Sequence, residues 1–249
     1  MDLEKKFQVA VSAVSMYMSL GMKFDIPALT VICSKGALPV IEIDSDKITF
    51  EDITAGYYDG VLTSYAKELK ALNYPVAIDF DHEFNVPVSP WGPKSHSATD
   101  FVNAWRHIVS LFKVIGANNV IWIWNPAVNG EGTVPIQPWY PGNAFVTWIG
   151  LDGYFTGPHS TFQTVFGSTL TDLTTFTEKP VFIDEVGANP ASQPARAIDS
   201  LFSGIERTPG IKGFVWFDYD KAPGHDWQIQ DDLSALAAFR AGAADYAKN

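Results

Sequence analysis

The chain predicts an α/β fold of the TIM, or (β/α)8, barrel type, and three observations carry that expectation. Apolar, strand-like runs alternate with helix-like patterns along nearly all of its 249 residues. Most of those runs are near-continuously apolar rather than strictly alternating, as strands covered on both faces of a parallel sheet are. The length suits one closed barrel better than a doubly wound sheet, and no glycine-rich turn follows the first run to cradle a dinucleotide phosphate.

The strand-like runs, rich in β-branched and aromatic residues, are Phe7 to Tyr17, Leu38 to Asp44, Pro75 to His82, Val120 to Asn125, Val146 to Tyr154, Pro180 to Glu185 and Gly213 to Asp218. Between them lie helical patterns at Ile26 to Ser34, Gly60 to Leu72, Ala98 to Ile115, Thr161 to Phe176 and Pro194 to Ile205, with a last one at Asp231 to Tyr246. No linker or low-complexity stretch interrupts the alternation. Residues 1–249 therefore read as a single domain, and 47% hydrophobic against 18% charged content is enough to fill its core.

Composition excludes several classes of partner. A net charge of −11 would repel nucleic acid and anionic membrane surfaces alike, which favours a neutral ligand. Aromatic residues make up a generous 14% of the chain; core packing explains most of that, and flat faces for stacking on sugar rings are the functional reading. The one cysteine, Cys33, cannot close an internal disulfide, and no Cys or His pair has metal-ligand spacing, so no cofactor or metal is expected. Lys5-Lys6 followed by Phe7 to Gly21 resembles a signal peptide superficially, but Asp2 and Glu4 spoil its basic start and three serines with Gln8 dilute the apolar part. Nothing in the sequence is long and apolar enough to span a bilayer.

Two strand-like runs about a hundred residues apart each end on a glutamate, in Asp81-His82-Glu83-Phe84-Asn85 and Ile183-Asp184-Glu185-Val186-Gly187. Active sites of such barrels are built at the C-terminal ends of the strands. Two carboxylates placed there are the minimal equipment for glycoside hydrolysis, in which one protonates the leaving oxygen and the other attacks the anomeric carbon or activates water. Trp124, Asp152, Tyr154, Trp216 and Asp218 also stand at or just past strand ends, and the loop Val86 to His96 would form part of the rim.

In order along the chain, these segments resemble glycoside hydrolase family 26, whose members are mainly endo-β-mannanases. Asp81-His82-Glu83-Phe84-Asn85 with Trp91-Gly92 resembles the acid/base segment, and Ala104-Trp105-Arg106-His107-Ile108 and Gly116 to Trp124 resemble the next helix and strand. Trp139-Tyr140-Pro141-Gly142 and Trp148 to Tyr154 resemble the segment carrying a supporting tyrosine. Lys179 to Gly187 is similar to the nucleophile segment, and Val215-Trp216-Phe217-Asp218 to the last barrel strand. The resemblance implies that Glu83 is the acid/base and Glu185 the nucleophile of a retaining double displacement. It also implies that Tyr154 hydrogen-bonds the nucleophile, that Asp152 stands behind it, and that His82 and Asn85 belong with the substrate-binding residues. Trp91, Trp124 and Trp216 are the candidates for stacking on sugar. Trp105, Trp122 and Trp148 read as core, and Trp139 and Trp227 remain open. Asp184 should point away from Glu185 across the strand. His107 reads as a helix-face residue and His96, His159 and His225 as loop residues, with His225-Asp226-Trp227 within reach of the rim.

Three departures shape the alternatives. Val86-Pro87-Val88-Ser89-Pro90 replaces the family's usual glycine and further aromatic, so a subsite tryptophan is missing; Asp79 stands where the family commonly has arginine. If Glu83 and Glu185 end the fourth and seventh strands, no residues remain for the first. Truncation or loss is the favoured explanation, over a degenerate strand in Met1 to Val9 or an open barrel. The leading expectation is a retaining endo-acting hydrolase of β-1,4-mannan-type polysaccharide. A β-1,3-1,4-glucanase or β-1,3-xylanase of the same family type and a non-catalytic carbohydrate-binding barrel are the alternatives. A polysaccharide or oligosaccharide substrate, no nucleic acid or membrane partner, a monomeric state and an extracellular or cell-surface location complete the expectation.

Overall fold

The computed structural model describes residues 2–130, 132–219 and 226–246. In chain order the elements are α1 (Asp2–Phe7), β1 (Ala13–Ser19), α2 (Ile26–Ser34), β2 (Leu38–Asp44), α3 (Phe50–Thr54), α4 (Asp59–Leu72) and β3 (Val76–Phe80). They continue with α5 (Ala98–Ile115), β4 (Val120–Trp124), β5 (Trp148–Phe155), α6 (Phe162–Leu173), β6 (Val181–Ala188), α7 (Pro194–Arg207), β7 (Ile211–Trp216) and α8 (Leu233–Tyr246). Single 3-10 turns stand at Gln137–Trp139 and Pro190–Ser192. Local chemistry sets several boundaries. Ser97 caps α5 by accepting from the Asp100 amide, Gly116 ends that helix at φ +83, and Thr161 with Thr164 forms a reciprocal cap on α6.

The strands form one parallel sheet in the order β1-β2-β3-β4-β5-β6-β7, each beside its sequence neighbour. This is the strand order of a (β/α) barrel, with helices returning the chain between parallel strands. Among the described residues β1 and β7 are not hydrogen-bonded to each other, yet both line one cavity of about 1300 Å³. The sheet has therefore curled until its two edges share a cavity, and an unpaired seam stands where an eighth strand would sit.

The N-terminal segment corrects the sequence reading. The strand expected from Phe7 begins at Ala13, and Asp2–Phe7 is helical, so the described residues before Ala13 form no barrel strand and the first strand is missing or degraded. The physical reason lies at the C-terminus: Phe7 packs on Phe239 with ring centroids 6.1 Å apart, and Arg240 Nε donates to the Phe7 carbonyl at 2.9 Å. That anchor holds Phe7 in the helical layer against α8, out of the sheet.

Inside the barrel, side chains are layered by the two-residue period of the strands. The lowest layer is apolar: Val40, Ala77, Ile123 and Phe182 cluster there, with Ala13, Leu38, Trp148 and Val215 packed against them. Two residues further along each strand come Glu42, Asp79, Asn125 and Asp184, all fully buried. The catalytic candidates stand above this polar layer. A separate, larger apolar core lies between the outer face of the sheet and the helices, including Ile41, Ile78, Trp122, Trp105, Ile149 and Ile183.

Candidate active site

Glu83 and Glu185 are delivered to the same cavity, together with His82, Tyr17, Tyr154, Trp216, Trp227 and Asp218. Past the end of β3 the chain turns sharply, placing Asp81 at φ 56 and Glu83 at φ 51. Such conformations are costly for side-chain-bearing residues and persist only where surroundings fix them. Here the Asp81 carboxylate accepts from the Ser45 amide at 2.6 Å, and the Glu83 amide donates to the Asn125 carbonyl at 2.8 Å. The turn thereby lifts Glu83 onto the rim instead of burying it with Asp81.

Glu185 sits on β6 opposite Asp152 of β5, and its two oxygens are held by two phenols. Tyr154 donates to Oε2 and Tyr17 donates to Oε1. Both phenols are raised far above the ordinary tyrosine range, by burial first and then by neighbouring carboxylates, led by Glu185 for Tyr154 and by Glu42 for Tyr17. They stay protonated and act as donors. Donation to a carboxylate favours its ionised form, which a nucleophile requires.

His82 lies between the carboxylates. Its Nδ1 is 3.3 Å from Asp44 Oδ1 and 3.8 Å from Glu42 Oε2, and its ring meets Tyr17 and Trp91 edge-on at 5.9 and 5.3 Å. Burial pulls the imidazole toward neutrality, but Asp44 and the charges of Glu185 and Glu83 outweigh it and hold the pKa above the ordinary histidine value. Positive charge on His82 beside Glu83 and Glu185 offsets part of their mutual repulsion.

Under the rim the acids are crowded. Asn125 Nδ2 donates to Asp79 Oδ2 at 2.8 Å and to Asp152 Oδ1 at 2.9 Å, while Asp79 and Asp184 interact through their side chains. Asp184 was expected on the far side of the strand from Glu185, but it joins this interior group. The register of β6 against β7 slips between Ile183 and Val186, which breaks simple alternation there and lets both neighbours face inward. Burial, reinforced by the charge of Glu185, pushes the Asp184 carboxyl up to about 7. Burial likewise raises Glu42, Asp79, Asp81 and Asp152 well above the usual carboxylate range.

Several expected substrate contacts are redirected by packing. Trp124 is fully buried, 4.9 Å from Phe84 and 5.1 Å from Tyr140, and its indole donates to the Trp139 carbonyl. It cannot stack on sugar. Trp124→Ala is expected to cost about 3 to 5 kcal/mol of stability, as removal of a core aromatic does, measurable by urea unfolding. Asn85 is also fully buried, exchanging two hydrogen bonds with the backbone of Ala127, and so serves the rim's structure instead of contacting sugar. Trp91 is 5% exposed and donates to the His82 carbonyl at 2.6 Å, supporting the turn that carries Glu83 from behind. Trp216 does line the cavity, as does Trp148, read from the sequence as core. Trp227, left open by the sequence, packs on Tyr154 at 4.6 Å and lines the cavity too. Trp139 is buried. His107 pairs with Asp59 at 2.6 Å, His96 packs at a tilt on Phe50 at 4.5 Å and His159 is exposed; His225 lies outside the described residues.

Tyr17 is the site residue that sequence reasoning missed. Its one visible signal was that it closed the first strand-like run, at the same end of the sheet as the glutamates. Glu42, His82 and Glu185 each bring one ligand atom within 4.8 Å of the others, the spacing of a cation site. Both Glu185 oxygens already accept from phenols, whereas Glu42 Oε2 and His82 Nδ1 are buried with no hydrogen-bond partner among the described residues.

Comparison with known proteins gives the site a context. A family model described as Glycosyl hydrolase family 26 matches residues 27–193. Endoglucanase H of Acetivibrio thermocellus is 29% identical over 232 residues, covering 86% of this chain and 25% of that protein. The mannan endo-1,4-beta-mannosidase A and B of Caldalkalibacillus mannanilyticus is 30% identical over 86 residues, 32% of this chain and 16% of that protein. The chain thus spans a quarter or less of these relatives' length. Among solved structures, a GH26 beta-mannanase from Bacteroides ovatus superposes with a TM-score of 0.69 at 17% identity, covering 97% of this chain and 81% of that one.

Proposed function

Because the chain belongs to glycosyl hydrolase family 26, we propose that it is an endo-acting β-glycoside hydrolase that cleaves a polysaccharide by double displacement. The observation that carries this reading is the convergence of Glu83 and Glu185 on one cavity, with both oxygens of Glu185 held by phenol donors. Glu83, half-buried on the turn beside His82, protonates the departing glycosidic oxygen. Glu185 attacks the anomeric carbon to form a glycosyl ester, and Glu83, now ionised, deprotonates the water that hydrolyses it. Retention of configuration follows from two inversions and needs the carboxyl groups roughly 5 to 5.5 Å apart. Trp216, half-buried and lining the cavity, offers an aromatic face for sugar, and the acidic chain suits a neutral polymer. One chain supplies both carboxylates, so a monomer suffices, and a polymeric substrate places the reaction outside the cell.

Mannan is the first substrate by family resemblance and by the mannosidase relative. A second reading, β-1,3-1,4-glucan, is favoured by the endoglucanase relative, which aligns with far more of this chain. Incubation with β-mannan, lichenan and β-1,3-xylan, following reducing ends and viscosity together, tests the proposal. Endo cleavage predicts that viscosity falls well before reducing ends accumulate. Binding to any of the three without release of reducing ends would instead support a carbohydrate-binding barrel.

A further inference from the structure

We propose that Tyr17 is a latch on the nucleophile: its hydroxyl caps the attacking oxygen of Glu185 in the unliganded protein and swings away when sugar enters. The inference rests on the hydrolase reading above and assigns a regulatory contact within that site. The two phenols on Glu185 are not equivalent. Tyr154 comes from β5, directly hydrogen-bonded to β6, and is wedged between Phe217 and Trp227 at 5.9 and 4.6 Å. Its bond to Oε2 is fixed by packing. Tyr17 comes from β1, an edge strand with an open seam on one side, and the residue is 47% exposed although its hydroxyl end is buried among the carboxylates. Its bond to Oε1 is therefore the one that can open.

The chemistry requires that it open. As Oε1 attacks the anomeric carbon it gives up its charge and becomes an ester oxygen, a much poorer acceptor. A hydrogen bond to that oxygen stabilises the resting carboxylate more than the transition state, and so opposes reaction. Tyr154 on Oε2 does not carry this penalty, because Oε2 becomes the ester carbonyl and remains an acceptor. A second resting place for the Tyr17 hydroxyl exists. Tyr17 pairs in register with Glu42, whose Oε1 accepts from Ser15 while its buried Oε2 has no hydrogen-bond partner among the described residues. The latch thus has two positions, on Glu185 Oε1 and toward Glu42 Oε2, and sugar at the catalytic subsite selects the second.

The test pairs kinetics with a spectroscopic reading of the phenol. Tyr17→Phe keeps the ring against His82 and removes only the hydroxyl. A mechanism-based fluoro-sugar with an activated leaving group reports the first displacement alone. The variant is expected to be labelled about tenfold faster than wild type, the factor that corresponds to 1.4 kcal/mol, with kcat/KM on polysaccharide rising in parallel. A slower or unchanged labelling rate overturns the latch and makes Tyr17 a supporting donor like Tyr154. In wild type carrying tyrosine labelled at Cζ, assigned through Tyr17→Phe and Tyr154→Phe, saturation with mannotetraose (or the corresponding β-glucan tetrasaccharide if lichenan is the polymer cleaved) should shift the Tyr17 resonance much more than that of Tyr154. A static Tyr17 resonance at saturation overturns the latch while leaving the hydrolase reading intact. Failure of the protein to bind or cleave any of the three polysaccharides overturns both.

Discussion

Glu185→Ala is expected to reduce polysaccharide turnover to background, whereas Glu83→Ala should lose about 10²- to 10⁴-fold, the range of a general acid–base contribution. The difference follows from their tasks. Without Glu185 there is no atom to form the glycosyl ester, and no property of the substrate replaces it. Without Glu83 the first displacement lacks only a proton for the leaving oxygen. A dinitrophenyl glycoside, whose leaving group needs no proton, should therefore be attacked by Glu83→Ala at close to the wild-type rate, with the loss moved to the second step. A burst of dinitrophenol from Glu83→Ala and none from Glu185→Ala, followed by stopped-flow absorbance, is the expected pattern. The reverse pattern would exchange the two roles.

The second large effect concerns stability and pH. Asp184, pushed up to about 7 by burial and by the charge of Glu185, holds a proton in the folded protein that an unfolded aspartate with a pKa near 3.8 releases. Between those values the native state binds more protons than the unfolded state, so stability falls as pH rises. The stabilising contribution is complete below about pH 4 and is lost as pH climbs through about 7. One such proton is worth about 1.4 kcal/mol per pH unit, or about 3 kcal/mol between pH 4.5 and 6.5. Glu42, Asp79, Asp81 and Asp152 are raised in the same direction, so the group as a whole makes the protein more stable in mild acid than in mild alkali. Urea unfolding at pH 5 and pH 8 should show the drop. Asp79→Asn, which removes one buried acid while keeping an acceptor for Asn125, should flatten it. A protein equally stable at both pH values would contradict this account of the acidic layer.

Those buried acids also show where sequence reasoning reached its limit. Helices α2 and α5 and strand β2 fall on the boundaries expected from the sequence, because their ends are written locally, in the Ser97 cap and the Gly116 terminus of α5 for example. Likewise, His82, Glu83, Tyr154, Glu185 and Trp216 were legible as strand-end residues and do line one cavity. What could not be read depends on curvature and register. Tyr17 reaches Glu185 across 168 residues of sequence, and only the curl of the sheet brings its edge strand to that carboxylate. Asp184 faces inward because β6 is irregular, and an alternation rule has no term for a bulge. Trp124 occupies a strand end as the sequence implied, but the ring turns outward into Phe84, Tyr140 and Phe176, filling the layer under the helices. The N-terminal residues carry an apolar pattern compatible with a strand, and their docking on Phe239 and Arg240 of α8 decided for a helix.

The departure at Asp79 acquires a physical meaning in the same layer. A cation at that position would neutralise Glu42 and Asp184, whereas here the layer is acidic throughout and relies on the amide of Asn125 and on retained protons. The cost falls on stability at high pH, and the carboxylates on the rim keep their positions through Tyr17, Tyr154 and His82.

The central claim is that Glu185 forms a covalent bond to sugar. Mass spectrometry of the wild-type protein after reaction with the fluoro-sugar tests it most directly. The account predicts one added glycosyl group, located by peptide sequencing on Glu185 and absent in Glu185→Ala. A label on Glu83, or unlabelled protein that nevertheless cleaves the polymer with inversion at the anomeric carbon, would contradict it.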